Sequence, residues 1–367
     1  MTQAFTSRAL AESSAKPRDG HDRAVATWLL VCAAMIFVMV LLGGITRLSG
    51  SGLSIMEWKP LMGALPPMST AEWERVFALY REISQYKNVN HGMTLSEFQG
   101  IFWWEYSHRL WGRLIGIVFF LPFLWFLVKG YLRKAPGRPS MAPKLGAIFV
   151  LGALQGGIGW YMVASGFEDR DSVSQYRLVL HLGLALVIYA LILWAAFDLL
   201  RPRPLLGDAA IARPLRRHAL LLLALVAVEL ALGGLVAGLH GGLIYNDFPL
   251  MNGDWIAPDV FSMSPWWVNV TENPVTAQFL HRIGAALVTL TLLWLVARIW
   301  RGDLPEAVNA RSGILLAALV LQVALGISTL MLVVPLPLAV AHQAGAVILL
   351  TATLYTLHGL KRVGAAA

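Results

Sequence analysis

The sequence is poor in charged residues and nearly free of cysteine. Asp, Glu, Lys and Arg make up 14% of its 367 residues, whereas a soluble protein carries about 25%. The single cysteine, Cys32, excludes an intrachain disulfide and a thiol redox pair. We interpret it as a small apolar residue that packs inside a helix. The scarcity of charge argues against a soluble domain.

Long apolar runs dominate the chain instead, and 57% of its residues are hydrophobic. A helix needs about 20 such residues to cross a hydrocarbon core of about 30 Å. We therefore predict an all-α polytopic membrane protein with eight transmembrane helices, at residues 25–45, 101–128, 145–166, 178–197, 219–239, 275–297, 313–334 and 336–357. No small-residue cleavage site follows the first run, so we predict a retained helix and not a signal peptide. The first 20 or so residues are predicted to be a disordered tail.

The net charge is +8, and the basic residues behind it are concentrated in every second loop. Lys and Arg concentrate in segments 1–24, 129–144, 201–217, 298–311 and 361–362. This is the positive-inside pattern, which predicts a multi-pass protein of the cell inner (plasma) membrane with both termini in the cytoplasm. Because the basic residues report topology, we expect no nucleic-acid partner.

The second half of the chain repeats the first. GGITRLSGSGLSIMEWKPLMG from Gly43 matches GGLVAGLHGGLIYNDFPLMNG from Gly233, EYSHR matches QFLHR, and LQGGIG matches LQVALG. Because each unit has an even number of spans, the repeat is parallel, with a pseudo-two-fold axis along the membrane normal. We predict two four-helix bundles with the following segments: tail 1–24, N-terminal half 25–200 with a long outer loop 46–100, linker 201–217, C-terminal half 218–360 and tail 361–367.

One histidine lies near the outer end of each even-numbered helix. These are His108, His181, His281 and His342, all predicted within about 10 Å of the outer surface at 1.5 Å of rise per residue. A single histidine on a membrane helix is usually a packed core residue, but four at one depth favour metal ligation. Two imidazoles per site make a poor zinc or copper site. They suit haem, whose porphyrin supplies the other four ligands.

Other polar groups lie beside these histidines. Arg109 and Arg282 directly follow two of them, and Arg177 precedes His181 by one helical turn. These guanidinium groups either hold porphyrin propionates or extend to the membrane interface, and the sequence leaves both readings open. Glu229 is an isolated carboxylate in the fifth span without a repeat partner, and is a candidate for proton handling.

Several of these segments together resemble the haem A synthase family. They are GGITRLSGSGLSIMEWKPLMGALPP, EYSHRLWGR, NDFPLMNG, QFLHRIGA and AHQAGA, and the resemblance covers nearly all of residues 25–360. It implies an enzyme that oxidises the C8 methyl group of haem O to a formyl group, giving haem A for terminal cytochrome oxidases. It also implies one cofactor haem b and one substrate haem, the ligand pairs His108 with His181 and His281 with His342, and Glu105 as the essential acid. This chain lacks the outer-loop cysteine pairs of one branch of the family.

The halves differ three residues before the ligand, where one has Glu105 and the other Gln278. Residues i and i+3 share a helix face, so we expect an ionisable group only at the N-terminal site. Oxidising a methyl group releases protons, which a carboxylate can accept. We therefore predict a substrate site in the N-terminal half, with His108, His181, Arg109 and Arg177, and a haem b site in the C-terminal half, with His281, His342 and Arg282. The alternative is that Glu105 forms a structural ion pair with Arg109 or Arg113.

Two other function classes are compatible with paired histidines: a bis-haem membrane electron-transfer protein and a haem carrier or exporter. A carrier has no obvious use for the difference between Glu105 and Gln278. A quinol-oxidising cytochrome b would place two ligands on each of two helices, whereas this chain has one histidine per helix. A secondary transporter would show broken helices at mid-depth. The expected partners are haem O, membrane lipid and an unidentified electron donor. Contact with the farnesyltransferase that makes haem O (haem O synthase), and a homo-oligomer, are left open.

Overall fold

The computed structural model describes residues 20–57, 62–134, 139–164, 166, 171–200 and 205–364. Within these ranges the chain is helical and has no β-strand. Eight helices are long and apolar enough to cross a membrane: α1 Gly20–Leu48, α2 Leu95–Val128, α3 Ala142–Ala164, α4 Gln175–Leu200, α5 Ala209–Gly238, α6 Pro274–Arg301, α7 Glu306–Met331 and α8 Leu336–Lys361. The predicted all-α polytopic membrane fold is confirmed. The predicted disordered tail lies, but for its last residue, outside the described residues.

Helix α2 begins six residues before the predicted start at residue 101, at Leu95. Thr94 and Glu97 form a capping box, in which each side chain bonds the backbone N–H of the other residue. His108 consequently lies about 20 Å along its helix at 1.5 Å per residue. The other three histidines lie within the first eight residues of α4, α6 and α8. The apolar run alone missed this capped, polar extension of α2.

The segment between α1 and α2 explains why the extension is stable. It contains helices Thr70–Tyr80 and Ser84–Asn88. Tyr80 packs against Phe98 of the extension, in a buried apolar cluster that also includes Phe102. The extra turns of α2 are therefore covered by the loop that precedes them.

The helices of the two halves make equivalent contacts. In the N-terminal half α1 packs on α2 and α4, and α3 packs on α4; in the C-terminal half α5 packs on α6 and α8, and α7 packs on α8. The halves meet where α1 contacts α8 and α5 contacts α4. This symmetry of contacts is what a parallel repeat predicts.

The apolar core fills only one end of this bundle. Its most deeply buried members lie towards the N-terminal ends of the odd helices and the C-terminal ends of the even ones, and include Leu29, Ile192, Leu222, Leu295 and Leu315. The four histidines lie towards the opposite end. That end is open inside.

Candidate functional site

One large cavity occupies the histidine end of the bundle. Its volume is about 1410 Å³, which exceeds the roughly 300–1,000 Å³ of a pocket for one small ligand. All eight long helices contribute to its walls, as do His108, His181, His281 and His342. The structure therefore brings together the four histidines that the sequence singled out.

Each of these histidines packs against a glycine of the preceding helix. The pairs are Gly43 with His108, Gly159 with His181, Gly233 with His281 and Gly326 with His342. A Cβ atom at any of these glycines would lie 2.9–3.2 Å from Cε1 of the ring, which is tighter than ordinary van der Waals contact. The repeat thus preserves the surface on which each imidazole lies as well as the imidazole itself.

A second glycine follows the first in α1 and α5, and it faces the other half of the molecule. A Cβ atom on Gly44 would lie 2.0 Å from the side-chain oxygen of Gln343, and one on Gly234 would lie 2.9 Å from Val179. Gln343 also donates a 2.9 Å hydrogen bond to the carbonyl of Val40. Small residues let membrane helices approach closely, so each Gly-Gly pair serves one histidine and one contact between halves.

The C-terminal pair has the spacing of two axial ligands. The ring centres of His281 and His342 are 6.4 Å apart, and their planes are 85° apart. Two metal–nitrogen bonds of about 2.0 Å on opposite sides of an ion, with roughly 1.1 Å from each nitrogen to its ring centre, give about 6.2 Å. Nδ1 of His342 is buried without a hydrogen-bond partner among the described residues. This pair fits one iron between its rings.

The N-terminal pair shares its half of the cavity with uncrowded stretches of wall. Gln155 holds His181 by donating to its carbonyl at 2.9 Å, with the same nitrogen 3.1 Å from Nδ1 of the ring. Nδ1 of His108 is buried without a hydrogen-bond partner in the described part of the chain. Three glycines on the cavity wall have no described atom within 4 Å of the place of a Cβ, namely Gly116, Gly152 and Gly156. A flat group can lie against such a wall.

The donor set also fits an iron porphyrin. Within the described ranges no three residues among His, Cys, Asp and Glu are grouped to hold a metal ion. Paired histidines need a ligand that completes the coordination sphere, which a porphyrin does with four nitrogens. Both pairs therefore fit haem better than a bare metal ion.

Glu105 is buried and fully hydrogen-bonded. One carboxylate oxygen accepts from the Ser54 hydroxyl at 2.7 Å and from the Ile55 amide at 2.8 Å. The other accepts from Arg109 at 2.5 and 3.0 Å. Arg109 in turn donates to the carbonyls of Ile55 and Glu57 at 2.7 and 3.2 Å. The ion pair foreseen as the alternative role of Glu105 is present, and it ties the start of the outer loop to α2. The carboxylate still lines the cavity.

Gln278 occupies the equivalent place in the C-terminal half. Its amide nitrogen donates to the carbonyls of Gly241 and Tyr245 at 3.0 and 3.1 Å, and its oxygen accepts from Arg282 at 3.3 Å. Arg282 also donates to the carbonyl of Leu250 at 2.6 Å. Both positions therefore anchor a loop and an arginine, and they differ in charge.

The expectation that only the N-terminal site has an ionisable group is wrong. Oε1 of Glu229 lies 2.8 Å from Nδ1 of His281. The sequence pointed to Glu229 as an isolated carboxylate but did not place it beside a histidine, because the two residues are on different helices. The two halves therefore differ less in the charge near their histidines than the sequence indicated.

The remaining predicted arginine, Arg177, lies away from the cavity wall, with its guanidinium 4.9 Å from the ring centre of Tyr161. Arg47, which the sequence did not single out, lines the cavity. It donates to the carbonyl of Ala237 at 3.0 Å and lies 3.0 Å from the ring of His240. Burial, and then the charge of Arg47, lower the pKa of His240. Arg47 thus joins the end of α1 to the end of α5.

The chain is similar to known proteins over nearly its full length. A family described as cytochrome oxidase assembly protein matches residues 26–354. A protein named Heme A synthase from Nitrosospira multiformis is 51% identical over 345 residues, which cover 93% of this chain and 94% of that protein. Another of that name from Rhodospirillum centenum is 47% identical over 361 residues, which cover 97% and 94%.

Proposed function

This chain belongs to the haem A synthase family of membrane oxidoreductases, and we propose that it oxidises the C8 methyl group of haem O to a formyl group. In this proposal the N-terminal pair binds haem O and the C-terminal pair holds haem b. The observation that supports it most directly is the 6.4 Å spacing of His281 and His342, which suits two axial ligands of one iron. The division into halves 25–200 and 218–360 is part of the proposal.

The different surroundings of the two pairs support the assignment of substrate and cofactor. A substrate must enter and leave, and the wall beside His108 and His181 has open space at Gly152 and Gly156. A resident cofactor needs tight fixation. The rings of His281 and His342 are already spaced for one iron. We therefore place haem O in the N-terminal half.

Haem b supplies one-electron transfer when it is bound. The protein's own residues bind, orient and move protons. Glu105 lies one turn from His108 on the same face of α2 and lines the cavity, so it is placed to accept protons released as the methyl group is oxidised. Arg109 fixes that carboxylate from one side, while Ser54 and Ile55 fix it from the other.

Arg109 and Arg282 mainly hold the loops that cover the cavity. Arg109 uses four of its five N–H groups on protein acceptors, which leaves one for a propionate. Arg282 likewise donates to loop carbonyls. We propose that Arg177, whose guanidinium lies over the Tyr161 ring in this structure, turns to a propionate of haem O when that haem is bound. Both termini are cytoplasmic and the haem sites lie near the outer face of the inner membrane.

The proposal is tested by extracting haem from cells that make haem O but lack another haem A synthase, with and without this gene. Haem A should appear only with the gene. The purified protein should show the sharp reduced α-band of low-spin haem. Conversion without any bound haem, or bound haem without conversion, would contradict the proposal.

A further inference from the structure

Glu229 of α5 reaches the imidazole that we propose as a ligand of haem b. Its side chain is 16% exposed, and Oε1 lies 2.8 Å from Nδ1 of His281. The ring N–H does not point along this contact, and Oε2 has no hydrogen-bond partner among the described residues. Holding a carboxylate with an unused oxygen inside a membrane protein is costly. We therefore expect the position of Glu229 beside His281 to have a function.

The structure makes specific room for this carboxylate. A Cβ atom at Gly284, one turn after His281, would lie 2.1 Å from Oε2 of Glu229. No other side chain than that of glycine fits there while the carboxylate stays in place. Gly284 therefore provides the space that the Glu229 carboxylate occupies.

The partner helix α8 repeats this arrangement. Gly345, one turn after His342, leaves room for the side-chain oxygen of Gln322, which a Cβ atom would approach to 2.3 Å. The N-terminal half has Trp111 and Leu184 at the corresponding positions. Of the two halves, only the one proposed to hold the resident haem therefore has a glycine one turn after each histidine that makes room for a polar side chain.

A residue equivalent to Glu229 in the repeat also contacts a histidine ring. It stands four residues before the glycine under the histidine, and the equivalent residues of the odd helices are Met39, Gln155 and Gln322. Gln155 contacts the ring of His181 at 3.1 Å. Glu229 is the charged member of this set. It therefore has a neutral, isosteric counterpart within the same chain.

We propose that Glu229 is a positioning residue of the haem b site: when haem is bound, the His281 ring turns so that its Nδ1–H donates to the Glu229 carboxylate and Nε2 faces the iron, and the carboxylate lowers the reduction potential of the haem. This inference rests on the proposed function, since it takes His281 as a ligand. A ligating histidine commonly donates its second N–H to a carboxylate, which fixes the ring and makes it a better electron donor. A nearby negative charge also favours ferric over ferrous iron because ferric iron carries one more positive charge.

The test measures the midpoint potential of purified protein from cells that make no haem O, so that only haem b is titrated. Glu229→Gln keeps the shape of the side chain, copies Gln155 and Gln322, and removes the charge. Loss of a carboxylate that supports a metal ligand typically lowers metal affinity or activity by about 10–100-fold. We expect at least a tenfold shift towards the ferrous form, which is about 59 mV for one electron.

Two further variants make the result specific. Gly284→Ala keeps the charge of Glu229 but displaces its carboxylate, so the potential should rise here too. Glu82→Gln removes a charge from an exposed side chain and should leave the potential unchanged. If Glu229→Gln loses its haem, Gly284→Ala decides: a raised potential supports the proposal and the wild-type potential overturns it.

The possible outcomes separate this inference from the proposed function. Wild-type protein without low-spin haem, or haem that survives His281→Ala unchanged, contradicts the assignment of the ligand. Full haem content in Glu229→Gln together with the wild-type potential and unchanged ferric EPR g-values contradicts only the role of Glu229.

Discussion

Replacement of Glu105 by glutamine separates the chemical role of this carboxylate from its role as a loop anchor. If Glu105 accepts protons during the oxidation, Glu105→Gln should accumulate haem O or a partly oxidised alcohol in place of haem A. Removing a positioned general base typically slows a reaction by about 10²–10⁴-fold. The C-terminal haem b should remain, because its ligands are on α6 and α8.

The structure also sets the cost of this change to stability. Both oxygens of Glu105 accept hydrogen bonds, from Ser54 and Ile55 on one side and from Arg109 on the other. A glutamine can accept on one side only, and its amide N–H₂ then faces donors on the other. Leaving a buried donor unpaired costs about 1–3 kcal/mol, so we expect a folded protein of reduced thermal stability. Gln278 avoids this cost because it faces loop carbonyls.

Ser54→Ala is the matched control. It removes one 2.7 Å donor from the same anchor and leaves the carboxylate and its charge, at a cost of about 1 kcal/mol. The assay is haem extraction with separation of haem O, the alcohol and haem A, alongside a melting curve and an absorption spectrum. Haem A output from Glu105→Gln at the wild-type level would refute the proton-accepting role. Equal loss in Ser54→Ala would show that the loop anchor, not the charge, matters.

Three other predictions follow from the site and the topology. His281→Ala should remove the low-spin haem b spectrum and abolish turnover, and a retained wild-type spectrum would show that the ligand is misassigned. Reporter fusions should place the chain after Arg217 in the cytoplasm and the chain after Pro258 outside, and the reverse would overturn the proposed depth of the histidines. Gly159→Ala should lower haem O binding because its Cβ would meet the His181 ring at 2.9 Å, whereas Gly157→Ala, with no described atom within 4 Å, should bind haem O normally.

The sequence by itself determined the membrane fold, because a hydrocarbon core demands apolar runs of a set length and leaves few other structures available. The eight observed helices contain or closely overlap the eight predicted runs. The four histidines were also evident from the sequence, since the internal repeat aligns them in pairs, with one on each even helix. Periodicity in one chain is enough for both inferences.

The start of α2 could not be predicted from hydropathy. Its polar extension is stabilised by a capping box and by the apolar cluster around Tyr80 and Phe98. Only the folded loop reveals that cover. Local capping and tertiary packing together override the polarity of the segment.

Only the tertiary structure decided which polar groups are partners. Glu105 and Arg109 are one turn apart, so their pairing was foreseeable, but the donors Ser54 and Ile55 come from a loop about 50 positions earlier. Glu229 and His281 belong to different helices and meet because α5 and α6 pack side by side. A repeat in sequence shows that positions are equivalent, whereas contact between them depends on how the helices are rotated and how closely their glycines let them approach.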